Sequence, residues 1–228
     1  REQWMSRDLW LKQLRIAGVD TQSVEDILTD DIPLDGLQHA GSALLRAERS
    51  EVLVAIARPL IEALGDRGWT GDAELITELD HHANRTAVDL IPLPVALDEL
   101  CEALDQSAGS ESFIDMADGA LWPAQLFNVD QGPADFDAAS DRWLLVVGLG
   151  SGPAYEAMPR FVATIDQPDL ASVLAEPLTG SGAFRRFQTE LSRHEREYTR
   201  WHRFRDDAGL GRARTWLADG GYQSDRQL

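Results

Sequence analysis

FIDMADGALWPAQLF, residues 113–127, is the stretch that decides the fold class. Two apolar runs, Phe113 to Met116 and Ala120 to Phe127, flank Asp118-Gly119, a pair suited to the left-handed backbone of a tight hairpin. Pro123 has no N–H to give to a neighbouring strand, so the second run is expected at a sheet edge or with a bulge. A third strand is expected at Arg142 to Val147, and beyond it the chain reads as helical throughout. Strands followed by helices, without alternation, indicate an α+β fold with a small antiparallel sheet and C-terminal helices.

Upstream of the hairpin the apolar residues recur at three- and four-residue spacing, which is the mark of packed helices. Trp4, Leu11 and Leu14 share one face before Gly18. Ser50 is placed to cap a helix that buries Leu53, Ile56, Leu60 and Leu64, with a kink expected at Pro59. A further helix opens at Gly71 or Asp72 and turns Leu75, Ile76 and Leu79 inward. The LIPLP segment at 90–94 is extended, and Leu97, Leu100, Cys101 and Leu104 then form another helical stripe, which makes Cys101 a packing residue. The small-residue segment SAGS at 107–110 marks a change of character, so two parts are expected: a mainly helical region at 1–107 and an α+β domain at 108–228.

The chain of 228 residues is 43% hydrophobic, ample for a packed core, and no apolar run approaches the roughly 20 residues of a membrane span. One cysteine allows no internal disulfide and no cysteine-based zinc set. The N-terminus lacks the pattern of a secretory signal, and a cytoplasmic location is expected. Net charge is −18, distributed unevenly. Residues 1–107 hold 21 acids against 9 bases, 108–182 hold 11 against 2, and 183–228 reverse the sign with 10 arginines against 7 acids. A surface this acidic repels phosphate backbones, so nucleic acid is not expected as a ligand of the whole chain, whereas a basic partner is favoured.

Several motifs invite chemistry that their details do not support. GLGSG at 148–152 sits between a strand and a helix, as in a phosphate loop, but Pro153 stands where the last glycine of a dinucleotide fingerprint belongs and no Gly-Lys-Ser/Thr follows. A turn is the simpler reading. Asp80, His81 and His82 are adjacent, yet His39, His194 and His202 are scattered without metal-ligand spacing, so no metal and no cofactor is expected. No serine lies in a motif that activates its hydroxyl.

The most distinctive segment is LTGSGAFRRFQ at 178–188, followed by Trp201-x-x-Phe204 and by Ala213-x-x-Trp216-Leu217-x-x-x-Gly221-Tyr222. This pattern resembles the C-terminal signature of a bacterial family known as uncharacterised protein family one-five-eight. The resemblance covers about 108–223 and implies no activity. RGWTGDAEL at 67–75 and PLPVALDEL at 92–100 are similar to an N-terminal extension of actinobacterial members. Gln188 departs from the lysine usual in the family.

Physically, Gly180 and Gly182 permit a sharp turn, Ser181 is placed to cap a helix, and Phe184, Phe187, Leu191, His194 and Tyr198 form one apolar stripe. Arg185 and Arg186 then face the positive end of the helix dipole, so something anionic is expected to offset them. Carboxylates of the same chain are the simpler source; a bound phosphate is the sharper one, with Gly180, Ser181, Gly182, Arg185 and Arg186 as the candidate anion site. Arg193, Arg196, Arg200, Arg203 and Arg205, interleaved with glutamates, read as a solvated helix face. The expected function is a non-catalytic binding or regulatory protein with a protein partner. The alternatives are an enzyme or phosphate- or nucleotide-binding protein that uses the Gly180–Arg186 turn, and an RNA-binding protein that uses the arginine-rich C-terminal helices.

Overall fold

A computed structural model describes residues 8–87, 89–127 and 131–226, and it has the expected α+β architecture. Two short helices open it, α1 (Leu9–Ala17) and α2 (Thr21–Thr29), each capped by an aspartate: Asp8 accepts from the Leu11 N–H and Asp20 from the Ser23 N–H. Leu11 and Leu14 are buried on α1 as their spacing requires; Trp4 lies outside the described residues. Then come α3 (Leu37–Arg46), α4 (Glu51–Arg67) and α5 (Asp72–Asn84). Ser50 caps α4 by accepting from the Leu53 N–H at 3.0 Å, and Leu53, Leu60 and Leu64 are buried. The helix continues through Pro59 as a single element from 51 to 67. These five helices enclose one hydrophobic cluster, with Val24, Leu44, Leu53, Leu64, Leu75 and Leu79 among its fully covered members.

The extended segment is β1 (Ile91–Ala96), and α6 (Leu97–Leu104) follows without a gap. Leu97, Leu100 and Leu104 point inward, and burial drives the Cys101 thiol up to about 12, so it is an unreactive packing group. The antiparallel sheet is built from β2 (Glu111–Asp115), β3 (Leu121–Pro123) and β4 (Trp143–Val147) in the order β3-β2-β4. Pro123 therefore does lie on an edge strand. The expected second run is shorter than its apolar pattern suggested: β3 ends at Pro123, and residues 124–127 form a helical turn, α7 (Ala124–Phe127). Phe127 then joins Phe113, Phe136 and Trp143 in an aromatic cluster.

The last part comprises α8 (Gly152–Val162), α9 (Pro168–Ala175), α10 (Ala183–Leu191), the 25-residue α11 (Glu195–Asp219) and β5 (Tyr222–Arg226). β5 corrects the expectation that everything after the third strand is helical. It pairs parallel to β1, Ile91 opposite Tyr222 and Leu93 opposite Ser224, and the buried Ser224 hydroxyl donates to the Val95 carbonyl at 2.7 Å. YQSDR has little apolar character of its own; the strand is induced by its partner. Gly119, at φ 77, shows how closely the hairpin turn approaches β1, because a Cβ there would lie 1.8 Å from the Pro94 carbonyl oxygen.

Two further clusters complete the core. Leu93, Val95, Leu100, Ile114, Val146 and Leu217 join β1, α6, the antiparallel sheet and α11. Phe161, Phe187, Trp201 and Phe204 form an aromatic centre under α8, α10 and α11. The 183–198 stripe is divided between two helices: Phe187 and Leu191 are buried on α10, while His194 is the N-cap residue of α11. The expected boundary at 107/108 falls in the connection between α6 and β2. Across it, α11 packs against α3, α5 and α6, and β1 pairs with β5.

Candidate functional site

The Gly180–Arg186 turn forms, but its cations are used differently from the expectation. Gly180 and Gly182 adopt left-handed backbone at φ 79 and 74, and Gly182 is the N-cap residue of α10. No side chain caps this helix, so Ser181 does not take the role expected of it. The Arg186 guanidinium folds back over the turn and donates to the carbonyls of Thr179 at 2.5 Å, Pro177 at 3.3 Å and Ser181. Backbone oxygens, not carboxylates, thus offset a cation at the positive end of the dipole. Arg185 is exposed and forms no ion pair among the described residues. The five candidates are therefore brought together at the surface, with Arg186 already engaged in holding the turn.

Arg193 and Arg196 are exposed and pair with the neighbouring Glu190 and Glu197, as expected of a solvated face, whereas arginines farther along α11 depart from that expectation. Arg200 pairs with Asp35 at 3.2 Å and Glu197 at 2.7 Å, and Arg203 pairs with Asp35 and Asp8, both at 2.8 Å. Arg214, 2% exposed, donates to Gln38 and Ser42 and pairs with Glu78 at 2.6 Å. On the facing side Arg67 bridges Asp72 at 2.5 Å and Asp207 at 2.7 Å. Asp207 also accepts from the Gln38 N–H at 2.8 Å. Burial pushes its carboxyl up to about 6 against the pull of Arg67. His39 alongside is driven down to about 3, first by burial and then by the surrounding guanidiniums, and stays neutral. These residues fasten α11 to the N-terminal helices. A linear pattern of alternating signs cannot distinguish this arrangement from a wet surface, because each partner is more than a hundred residues away apart from Glu197.

GLGSG forms a turn between β4 and α8 that is tied to the preceding linker. Gly148 donates to Ser110 at 2.7 Å and Gly150 to Gln106 at 2.9 Å. A Cβ on Gly148 would lie 2.6 Å from the Ser107 carbonyl oxygen, so this glycine is explained by backbone packing. Beside the turn is an open cleft of about 280 Å³ lined by Asp105, Ser107, Ser151, Arg205 and Arg212. Arg212 is held by Asp105 at 2.7 Å, while Arg205 forms no ion pair among the described residues. The histidine pair separates as well: His81 contacts the Thr86 hydroxyl at 2.6 Å, and burial lowers the pKa of His82. Among the described residues no group of three or more potential ligands gathers as a metal site.

The outer face of the antiparallel sheet has a different character. Leu144, Val146 and Ile114 face the core, so Trp143, Leu145 and Val147 point the other way, opposite Asp115, Phe113 and Glu111. The aromatic cluster covers Trp143 and Phe113. Leu145, Val147 and the following Leu149 remain 43%, 42% and 47% exposed. Arg142 accepts from Met116, and Gly148 donates to Ser110. Even-numbered residues therefore bond inward, leaving the N–H and C=O groups of Leu145 and Val147 directed to the outer edge. Among the described residues no strand pairs with that edge. Exposed acids flank it: Glu111 opposite Val147, and Asp137 and Asp141 just before the strand.

Comparison with known proteins gives a family without an assigned activity. The profile described as Uncharacterised protein family (UPF0158) matches residues 90–225. A UPF0158 protein of Pseudomonas aeruginosa is 24% identical over 136 residues, spanning 58% of this chain and 86% of the relative. No solved structure matches. The matched region takes in β1 and α6, ahead of the start near 108 that the motifs indicated, and the pairing of β1 with β5 gives a physical reason for that earlier start.

Proposed function

The chain belongs to the uncharacterised protein family UPF0158, and we propose that it is a non-catalytic binding protein whose partner is a basic protein. One observation carries this reading: many of the arginines that would balance the acids are engaged within the chain. Arg67, Arg200, Arg203 and Arg214 serve buried or half-buried carboxylates, and Arg46, Arg49 and Arg186 serve backbone carbonyls. Among the described residues six acids, Asp8, Asp35, Asp72, Asp115, Glu197 and Asp207, are buried, so the excess of 39 acids over 21 bases is left largely on the surface. Such a surface attracts cations over several ångströms and repels nucleic acid. The same observation weighs against RNA binding by α11, since Arg200, Arg203 and Arg214 have other partners. A cytoplasmic location fits a chain with a single, half-buried thiol.

A pull-down of the tagged full chain from its native host at two salt concentrations tests the reading, with proteins, RNA and small molecules all quantified. The expected result is a stoichiometric basic protein, lost at high salt, whose purified form binds the purified chain. Retention of RNA, or of a phosphorylated metabolite without protein, contradicts it.

One observation favours a second reading, a small phosphorylated ligand. Arg205 and Arg212 converge on the cleft beside Ser151, and Arg205 forms no ion pair among the described residues. Calorimetric titration with inorganic phosphate and pyrophosphate decides it. Binding that Arg205→Ala removes without loss of stability supports this reading, and no heat at millimolar ligand ends it.

A further inference from the structure

Resting on the basic-partner reading, we infer that the outer edge of β4 is the docking surface, and that its occupant is an extended segment of the partner with alternating apolar and basic residues, added to the sheet as a fourth strand.

Three independent features of the edge meet that description. The first is an unused hydrogen-bonding row. Leu145 and Val147 direct their N–H and C=O groups outward, and no strand occupies that side among the described residues. The second is apolar side chains at a spacing of two, Leu145 and Val147, each more than two-fifths exposed and both on the face left open beside the aromatic cluster. An added strand places every second side chain on that face. The third is charge. The segment containing the sheet, 108–182, has 11 acids against Arg142 and Arg160 alone. Arg142 is occupied by Asp115 and Asp135, so the exposed Glu111, Asp137 and Asp141 are not balanced locally.

Free edges are ordinarily protected by lysine, by proline or by a bulge, because an open row of backbone groups recruits other chains. β3, the opposite edge, follows that rule with Pro123. β4 carries none of these devices: its sequence is WLLVV, and the β2–β4 register is regular along its length. A second copy of the chain is a poor occupant, since edge-to-edge pairing would bring two strongly acidic segments together. A basic segment gains both the backbone bonds and the charge complement, which selects it over self-association.

The test is a titration of the isotopically labelled full chain with acetyl-Arg-Val-Arg-Val-Arg-Val-amide, followed by amide shifts and hydrogen exchange, alongside the glutamate-valine counterpart. The expected result is shift changes centred on 143–149 and slowed exchange at Leu145 and Val147, absent with the acidic peptide. Affinity should fall about tenfold or more between low and high salt. Leu145→Ser should weaken binding several-fold, and Val147→Pro, which removes an outward N–H, should abolish it, while Ile91→Ser on β1 changes nothing. Binding that leaves Leu145 and Val147 unaffected overturns the edge assignment but keeps the basic-partner reading. Failure of the basic peptide to bind anywhere sinks both. Concentration-dependent dimerisation that Val147→Pro abolishes assigns the edge to a second copy and overturns the proposal.

Discussion

Arg67 and Asp207, separated by 140 residues, meet at 2.7 Å with side-chain exposures of 1% and 0%. The pair joins the end of α4 to the middle of α11, and Asp72 completes it by receiving two donors of the same guanidinium. Charges withdrawn from water in this way are stable only as a complete set.

Removing one member should therefore be costly. Asp207→Ala leaves Arg67 buried with half of its counter-charge and leaves the Gln38 N–H without its acceptor. Urea unfolding is expected to show a loss of about 3–5 kcal/mol. Arg193→Ala, which breaks its pair with Glu190 at side chains 67% and 23% exposed, should cost about 1 kcal/mol or less. Comparable losses for the two variants would show that the Arg67 cluster is not the stronger fastening.

Asp207 also sets a pH dependence with a definite sign. Its carboxyl is raised to about 6 in the fold by burial, from an ordinary value near 3.8, so the folded chain binds its proton more tightly than the unfolded chain does. The resulting stability is fully present below about 4 and is lost as pH rises through about 6. The difference in unfolding free energy between the native chain and Asp207→Asn should thus decrease from pH 4 to pH 7. A difference that grows over that window would place the folded pKa below the ordinary one.

Gly71 and Gly211 allow the start of α5 to touch α11. A Cβ on Gly211 would lie 2.1 Å from the Thr70 carbonyl oxygen, and one on Gly71 would lie 2.2 Å from the Gly211 Cα. Gly211→Ala should lower stability by about 1–3 kcal/mol. Gly65, inside α4 with open space where a Cβ would go, makes the contrast: Gly65→Ala should raise stability by about 0.5–1 kcal/mol. Thermal unfolding of the two variants checks both signs.

The parts of this fold that could be read from sequence are those fixed by neighbours in the chain. Ser50 caps α4, Pro123 lies at an edge, and Leu97, Leu100 and Leu104 face inward because a side-chain acceptor, a missing N–H and three- and four-residue spacing determine them locally. What escaped is set by distant partners. β5 becomes a strand only because β1 lies beside it, and Phe127 leaves the expected strand to stack on Phe136 at 3.7 Å. The candidate turn shows the same division: the glycine conformations at 180 and 182 followed from residue type, whereas the engagement of Arg186 by carbonyls depends on how residues 177–181 curl back. At β4, the WLLVV run announced a strand, but its open outer edge is a property of sheet order and was not legible.

With many arginines engaged within the chain and most acids at the surface, the most direct measurement is of the sign of what the whole chain binds. Full-length protein is titrated, at one low ionic strength and one high, with the arginine-valine peptide and with a single-stranded RNA of mixed sequence. Saturable, salt-sensitive binding of the peptide with no binding of RNA is the predicted result. Salt-sensitive binding of RNA, with the peptide inert, would contradict a basic-protein partner and assign RNA binding to the arginines of α11.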